Sequence, residues 1–200
     1  MLRASMVGLA FLVALLTWQV LAKGILTSVD DHLETRIAGH IGAGVRSVAH
    51  VVSLAGGPAV MGGLACGALV LAALLREWRA LFAFLIAVVG SILTIYTLRV
   101  SVGRPRPESY GDLSSAGSSF PSASTALATT VVVAFALVLL PRLAPAASRG
   151  GLSLLFWLFP VSVAASRLLL DAHFLTDVLA GLCIGVFWAL AGRLFLARGP

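Results

Sequence analysis

Ser118–Leu140 reads SSFPSASTALATTVVVAFALVLL: a proline within a cluster of hydroxyls, running straight into uncharged aliphatic sequence. The second part belongs in hydrocarbon, and the first part is where that helix begins. Serine is a favoured helix cap and proline is tolerated in the first turn. A helix needs about 20 mostly apolar residues to cross the hydrocarbon core, and the run from about 122 to 141 supplies them. A span that starts in so much hydrogen-bonding material has something polar to hold at its mouth.

The rest of the chain has the same character. Of 200 residues, 60% are hydrophobic and only 11% are charged. Soluble domains are about one quarter charged, so a water-facing surface cannot be built here, and the mean hydropathy is +1.04. The expected class is all-α: six transmembrane helices, at about 4–22, 58–75, 79–98, 122–141, 151–170 and 174–195, in a single integral-membrane domain over 1–200. The first stretch is read as a retained anchor rather than a signal peptide, because its apolar core is long and no small-x-small cleavage site follows. Between the first two spans, residues 23–57 mix polar and apolar positions at helical spacing. They predict one amphipathic interfacial helix, capped by Ser28 or Asp30, with Leu33, Ile37, Ile41 and Val45 on one face. His32, His40 and His50 in this segment read as solvated or interfacial side chains.

Topology follows from the bases. With the N-terminus inside, seven Lys/Arg fall on each side, and seven of the eight acids fall outside. The inner arginines sit in short loops such as REWR (76–79) and PRLAPAASRG (141–150), and this decides the orientation. Cys66 and Cys183 lie in apolar runs and read as small packing residues. Gly63-x-x-x-Gly67 and Gly181-x-x-x-Gly185 have the spacing that lets membrane helices approach closely. No Cys/His cluster has metal-ligand spacing, so neither metal nor cofactor is expected. Polar residues in mid-helix are few, which disfavours a channel.

Three polar islands interrupt the oil, all on the predicted outer side: LRVSVGRPRP (98–107), FPSAST (120–125) and SRLLLDAHFLTD (166–177). Each has a bland reading: arginines snorkelling to head groups, a helix start, a satisfied His–Asp pair. Their chemistry nevertheless converges. Arg99, Arg104, Arg106 and Arg167 offer planar, permanently charged forks suited to phosphate oxygens. The helix beginning at Ser122 offers backbone N–H groups and the positive end of its dipole. His173 and Asp177, four apart, are expected to share a helix face. A carboxylate on one imidazole nitrogen leaves the other free as a nucleophile. Ionisable groups at membrane depth mark function, and this set describes a phosphatase site.

The islands resemble the three signature motifs of the type 2 phosphatidic acid phosphatase superfamily, the membrane lipid phosphate phosphatases. Arg99, six residues, then Arg106-Pro107 resembles Lys-x6-Arg-Pro. Ser166-Arg167, His173 and Asp177 match Ser-Arg-x5-His-x3-Asp at every spacing. Pro121-Ser122-Ala123-Ser124 matches only the first half of Pro-Ser-Gly-His. The resemblance implies a metal-independent two-step reaction at the outer leaflet. In it His173 attacks phosphorus to form a phosphohistidine and Asp177 steadies the imidazolium. Arg99, Arg106, Arg167, Ser122 and the backbone at Ala123 hold the phosphoryl oxygens, while Arg104 lies outside the signature and is assigned to a lipid head group. It also implies substrates of polyprenyl diphosphate or glycerolipid phosphate type in a cell inner membrane with the site on the periplasmic face. Lipids are the expected partners and nucleic acid is not; the oligomeric state is left open.

Ser124 breaks the pattern. The family's histidine there protonates the leaving oxygen and later activates water, and a serine hydroxyl has no pKa near neutrality. Loss of such a group costs about 10²–10⁴-fold. Three explanations stand: a deliberately disabled enzyme, a substrate whose leaving group needs less help, or a silent binder or transporter of anionic lipids. Glu108, Tyr110 and Asp112, in ESYGDLSSAGSS, read as a solvated lid over the site.

Overall fold

The computed structural model describes residues 1–37, 40–107, 117–143 and 145–198, without the side chains of 146–153; the expected lid at Glu108, Tyr110 and Asp112 lies outside them. Every regular element among them is helical: α1 (Leu2–Leu21), α2 (Ile25–Ile37), α3 (Ala43–Ala55), α4 (Pro58–Leu74), α5 (Trp78–Val102), α6 (Ala123–Ala134), a π turn (Phe135–Leu139), α7 (Leu140–Leu143), α8 (Ala146–Leu169) and α9 (Leu175–Ala197). Five stretches are long and apolar enough to cross a membrane: Leu2–Leu21, Ala43–Leu74, Trp78–Val102, Ala123–Leu143 and Leu175–Ala197. The expected span at 151–170 falls within α8, whose shorter apolar run is Leu154–Leu169. Large apolar side chains such as Phe11, Trp18, Leu93 and Leu158 point outward, as an integral membrane protein requires.

α9 is the axis of the bundle, with α1, α5, α6 and α8 packed around it. Its small residues make this possible. A Cβ at Gly181 would stand 2.9 Å from the Ser122 carbonyl oxygen, and one at Gly185 would run into the Thr129 side chain. A Cβ at Gly192 would meet the Ala83 carbonyl on α5. The rest of the core is likewise small: Ala68, Ala72, Ala80, Ala83 and Ala87 are buried around Phe84. Close backbone approach of this kind is how helices associate where lipid removes the hydrophobic drive. The mid-helix hydroxyls are paired inside it, Thr130 donating to Ser91 at 2.9 Å and Trp188 to Thr94 at 2.9 Å.

Two expectations are corrected here. Gly63 and Gly67 do not mediate close packing: a Cβ at either would meet nothing within 4 Å, and both border a cleft of about 350 Å³ against Val131 and Phe135. Residues 23–57 form two helices rather than one, with Ile41 in the break between them. α2 starts at Ile25, so Ser28 and Asp30 sit inside the helix and cap nothing. Asp30 is buried instead, because it shares the apolar stripe of Leu26, Leu33 and Ile37. The cysteines are both free; Cys66 is exposed on α4 and Cys183 is half-buried.

The charged residues sort to the two ends of the bundle. Glu77 pairs with Arg142 at 2.8 Å, and Arg79 donates to the Leu196 carbonyl at 3.2 Å, closing one end. All three polar islands gather at the other. The chain leaves α5 there through Gly103, whose φ of 58° is the left-handed cap that glycine adopts without strain. Pro105 and Pro107 then prevent the helix from resuming.

Candidate active site

Four helix ends build the site: the C-termini of α5 and α8 and the N-termini of α6 and α9. The close seating of α9 on α6 joins the last two, so that Ser122 N donates to the Asp177 carbonyl at 3.1 Å. Ser122 is the N-cap residue of α6, yet its hydroxyl pairs with the Thr125 hydroxyl at 3.0 Å and makes no cap bond. The first-turn amides of Ala123 and Ser124 therefore keep no side-chain cap, which leaves α6 with the N-terminal donors that suit an anion.

His173 lies in the turn before α9, and its side chain is almost wholly buried. Its Nδ1 faces Asp177 Oδ2 at 3.4 Å, longer than a well-formed hydrogen bond. The two do not share a helix face, as their spacing had predicted, because α9 begins only at Leu175. Asp177 instead occupies the third helical position and reaches back over the N-terminus. There the same Oδ2 accepts the Phe174 N–H at 3.0 Å. The pairing holds, by a different geometry.

Around His173 stand the arginines. Burial pushes its pKa below the ordinary value of 6.5; Asp177 opposes that, and the Arg106 and Arg167 charges add to it. The imidazole is thus kept in its neutral, nucleophilic form, with Nε2 free of the Asp177 contact. Arg106 is held by donation to the Ala172 carbonyl at 3.0 Å, and Arg99 by donation to the Pro121 carbonyl at 3.2 Å. Arg167, in the last turn of α8, donates to Ser124 Oγ at 2.6 Å. The structure therefore brings Arg99, Arg106, Ser122, Ala123, Ser124, Arg167, His173 and Asp177 to one end of the bundle. Three permanent cations, a row of amides and an oriented imidazole can receive a phosphoryl group and hold the charge that develops on it.

Arg104 is placed differently from the expectation. It is not turned toward a head group but buried, with Nη1 2.8 Å from Asp177 Oδ1 and Nη2 2.8 Å from Asp30 Oδ2. Thr176 and Phe174 complete its surroundings. In the sequence Asp30 reads only as a candidate cap and Thr176 only as part of the third island. The signal available was a carboxylate in the apolar stripe of α2. Asp171, two residues before His173, has a carboxyl pushed up by burial and pulled back by Arg46, 3.4 Å away.

No curated protein matches the chain. Two solved structures share its fold. One is the transmembrane PAP2 type phosphatidylglycerolphosphate phosphatase from Bacillus subtilis, with a TM-score of 0.87 at 20% identity over 98% of both chains. The other is Aquifex aeolicus LpxE, with a TM-score of 0.60 at 17% identity over 85% of this chain and 96% of that one. The sequence model of the PAP2 superfamily matches residues 77–198, more than half of the chain and all three polar islands. The chain is a member of the PAP2 superfamily, on the fold of its membrane lipid phosphatases.

Proposed function

We propose that this protein is a lipid phosphate phosphatase working through a phosphohistidine, and that its natural substrate is a lipid diphosphate. The observation that carries the reading is the meeting of His173, Asp177, Arg106 and Arg167 at one end of an apolar bundle. His173 Nε2 attacks phosphorus and the bond to the leaving oxygen breaks. The proton on Nδ1 stays on the ring, facing Asp177, while the positive charge of the phosphorylated imidazole is balanced by that carboxylate. Water then cleaves the N–P bond to release phosphate. Arg99, Arg106, Arg167 and the α6 amides hold the equatorial oxygens throughout.

Ser124 shapes the substrate choice. Its hydroxyl accepts from Arg167 and has no proton to deliver near neutral pH. A lipid diphosphate expels a phosphate monoester, which departs without protonation far more readily than the alkoxide of a phosphate monoester. The bundle sits in a cell inner membrane with the site on the periplasmic face, and α8, 24 residues long, serves as the sixth span. At about 1.5 Å per residue such a helix covers the hydrocarbon thickness.

Phosphate release from a polyprenyl diphosphate, beside release from a phosphatidic acid, tests the reading. Turnover of the first with almost none of the second is expected; equal rates would refute the leaving-group argument. Ser124 itself favours a second reading, a silent binder of anionic lipids. The Ser124→His variant separates the two, since a binder stays inactive when the histidine is restored.

A further inference from the structure

α2 lies outside the stretch matched by the superfamily, yet its one buried residue is a carboxylate, Asp30, 1% exposed. A buried charge is costly unless it is paired and fully hydrogen-bonded, and this one is. Oδ1 accepts the Thr176 N–H at 3.0 Å; Oδ2 accepts the Thr176 hydroxyl at 2.5 Å and Arg104 Nη2 at 2.8 Å. The other fork of Arg104, Nη1, donates to Asp177 Oδ1 at 2.8 Å and to Thr176 Oγ1 at 2.6 Å. The guanidinium plane is backed by the Phe174 ring, 3.9 Å away. With Oδ1 of Asp177 so occupied, Oδ2 is left for Phe174 N and His173 Nδ1.

We infer that Asp30 and Arg104 are positioning residues of the active site: α2 anchors Arg104, Arg104 fixes the Asp177 carboxylate, and that carboxylate orients His173. The inference rests on His173 being the nucleophile, and it adds to that reading a residue from a helix outside the signature motifs. It also gives α2 a role other than lying at the interface. One guanidinium serves two carboxylates, so Asp30 limits how much of the Arg104 charge falls on Asp177. The remaining charges near His173 are Arg106 and Arg167, with Arg99 acting on Asp177. Glu34 and Asp171 border the small cleft beside it, and Arg46 pairs with Asp171.

The test uses the full chain in detergent, with histidines isotopically labelled and His173 assigned by its loss in a His173→Asn variant. In Asp30→Asn, one negative charge is gone and Arg104 turns wholly to Asp177. The His173 titration is expected to move down by roughly half a unit or more. Turnover is read in the Ser124→His background, where kcat should fall by about 10²-fold with KM within about twofold, the mark of a misplaced reacting group. Arg104→Lys keeps the charge but cannot bridge both carboxylates, and should retain only part of the parent kcat. An unmoved His173 titration, an undiminished kcat with lysine, or a loss confined to melting temperature would overturn the inference. If Asp30→Asn does not fold, Thr176→Val removes the hydroxyl link with both charges in place; undiminished kcat there would also overturn it. Should Ser124→His itself show no turnover, the phosphatase reading fails while the titration still decides whether Asp30 acts on His173.

Discussion

The two halves of this bundle are assembled on different terms. In the C-terminal half, α5, α6 and α9 meet backbone to backbone through Gly181, Gly185 and Gly192, and the helix ends that carry the chemistry are fixed by that contact. In the N-terminal half α1 turns most of its surface outward, and α4 buries Ala65, Ala68 and Ala72 while its Gly63 and Gly67 face a cleft. This half packs on α9 through Leu16 and Val20, beside Phe120 and Ala180, and it reaches the site itself through charge: Asp30 on Arg104, and Arg46 on Asp171. Close packing sets distances in one half. In the other, ion pairs set orientation. A phosphatase site needs both, because phosphoryl transfer depends on position and electrostatics more than on covalent work by the protein.

The contrast breaks most severely at the proposed nucleophile. His173→Ala should lower phosphate release by at least about 10⁴-fold, measured in the Ser124→His background, with the fold intact by melting temperature. A residue that merely filled the turn would leave activity in proportion to folded protein. Next in size is the gain from Ser124→His itself, about 10²–10⁴-fold on a phosphate monoester and much less on a diphosphate. An equal gain on both substrates would show that leaving-group quality is not what Ser124 trades on.

The half built on packing is also the half that was readable in the sequence. Arg99, Arg106, Ser122, Arg167, His173 and Asp177 stand in short motifs whose spacing survives whatever the helices do around them. The apolar runs located the spans because lipid leaves the backbone little choice but helix. What could not be read were contacts between distant segments. Arg104 falls among the six unspecified residues of the first motif and reads as a head-group ligand, because its partner Asp30 is 74 residues away. The His173–Asp177 pair was placed on a helix face because spacing alone does not say where α9 begins. The glycine pairs are indistinguishable by pattern; only the structure separates Gly181 and Gly185, seated against α6, from Gly63 and Gly67, where an added Cβ would meet nothing within 4 Å.

That separation gives the sharpest packing test. Gly185→Ala drives a methyl into Thr129 and should cost about 1–3 kcal/mol, the usual range for overpacking. It should also reduce activity, since the same contact seats Asp177 beside Ser122. Gly63→Ala should stay within about 0.5 kcal/mol of the parent. Thermal unfolding of both in the same detergent compares them; equal losses would mean that the two halves pack alike. A smaller effect concerns pH. The proposed attack requires a neutral His173, and burial holds its pKa below 6.5. The acid limb of kcat/KM should therefore lie below that value, with activity level from there to neutrality and falling only as protons begin to reach the imidazole. A limb centred above 6.5 would mean that Asp177 outweighs desolvation.

Among the charged contacts, the least consequential change should be Arg46→Ala. Like Arg104, Arg46 ties the N-terminal half to a carboxylate near His173, but it does so at 3.4 Å with 47% of its side chain exposed. Exposed pairs are screened and spend conformational entropy to form, so they contribute about 1 kcal/mol or less. Asp171 is nearly buried, however, and burial already pushes its carboxyl upward; removing Arg46 removes the charge that pulls it back. The expected outcome is a loss of less than about 1 kcal/mol at neutral pH. Since the carboxyl is then easier to protonate, the loss should shrink as pH falls and Asp171 becomes neutral in both proteins. Unfolding midpoints of Arg46→Ala and parent, measured from pH 7 downward, should therefore converge. A gap that widens on acidification would mean that Arg46 acts through another group, and that the N-terminal half is fastened to the site by more than the Asp30–Arg104 link.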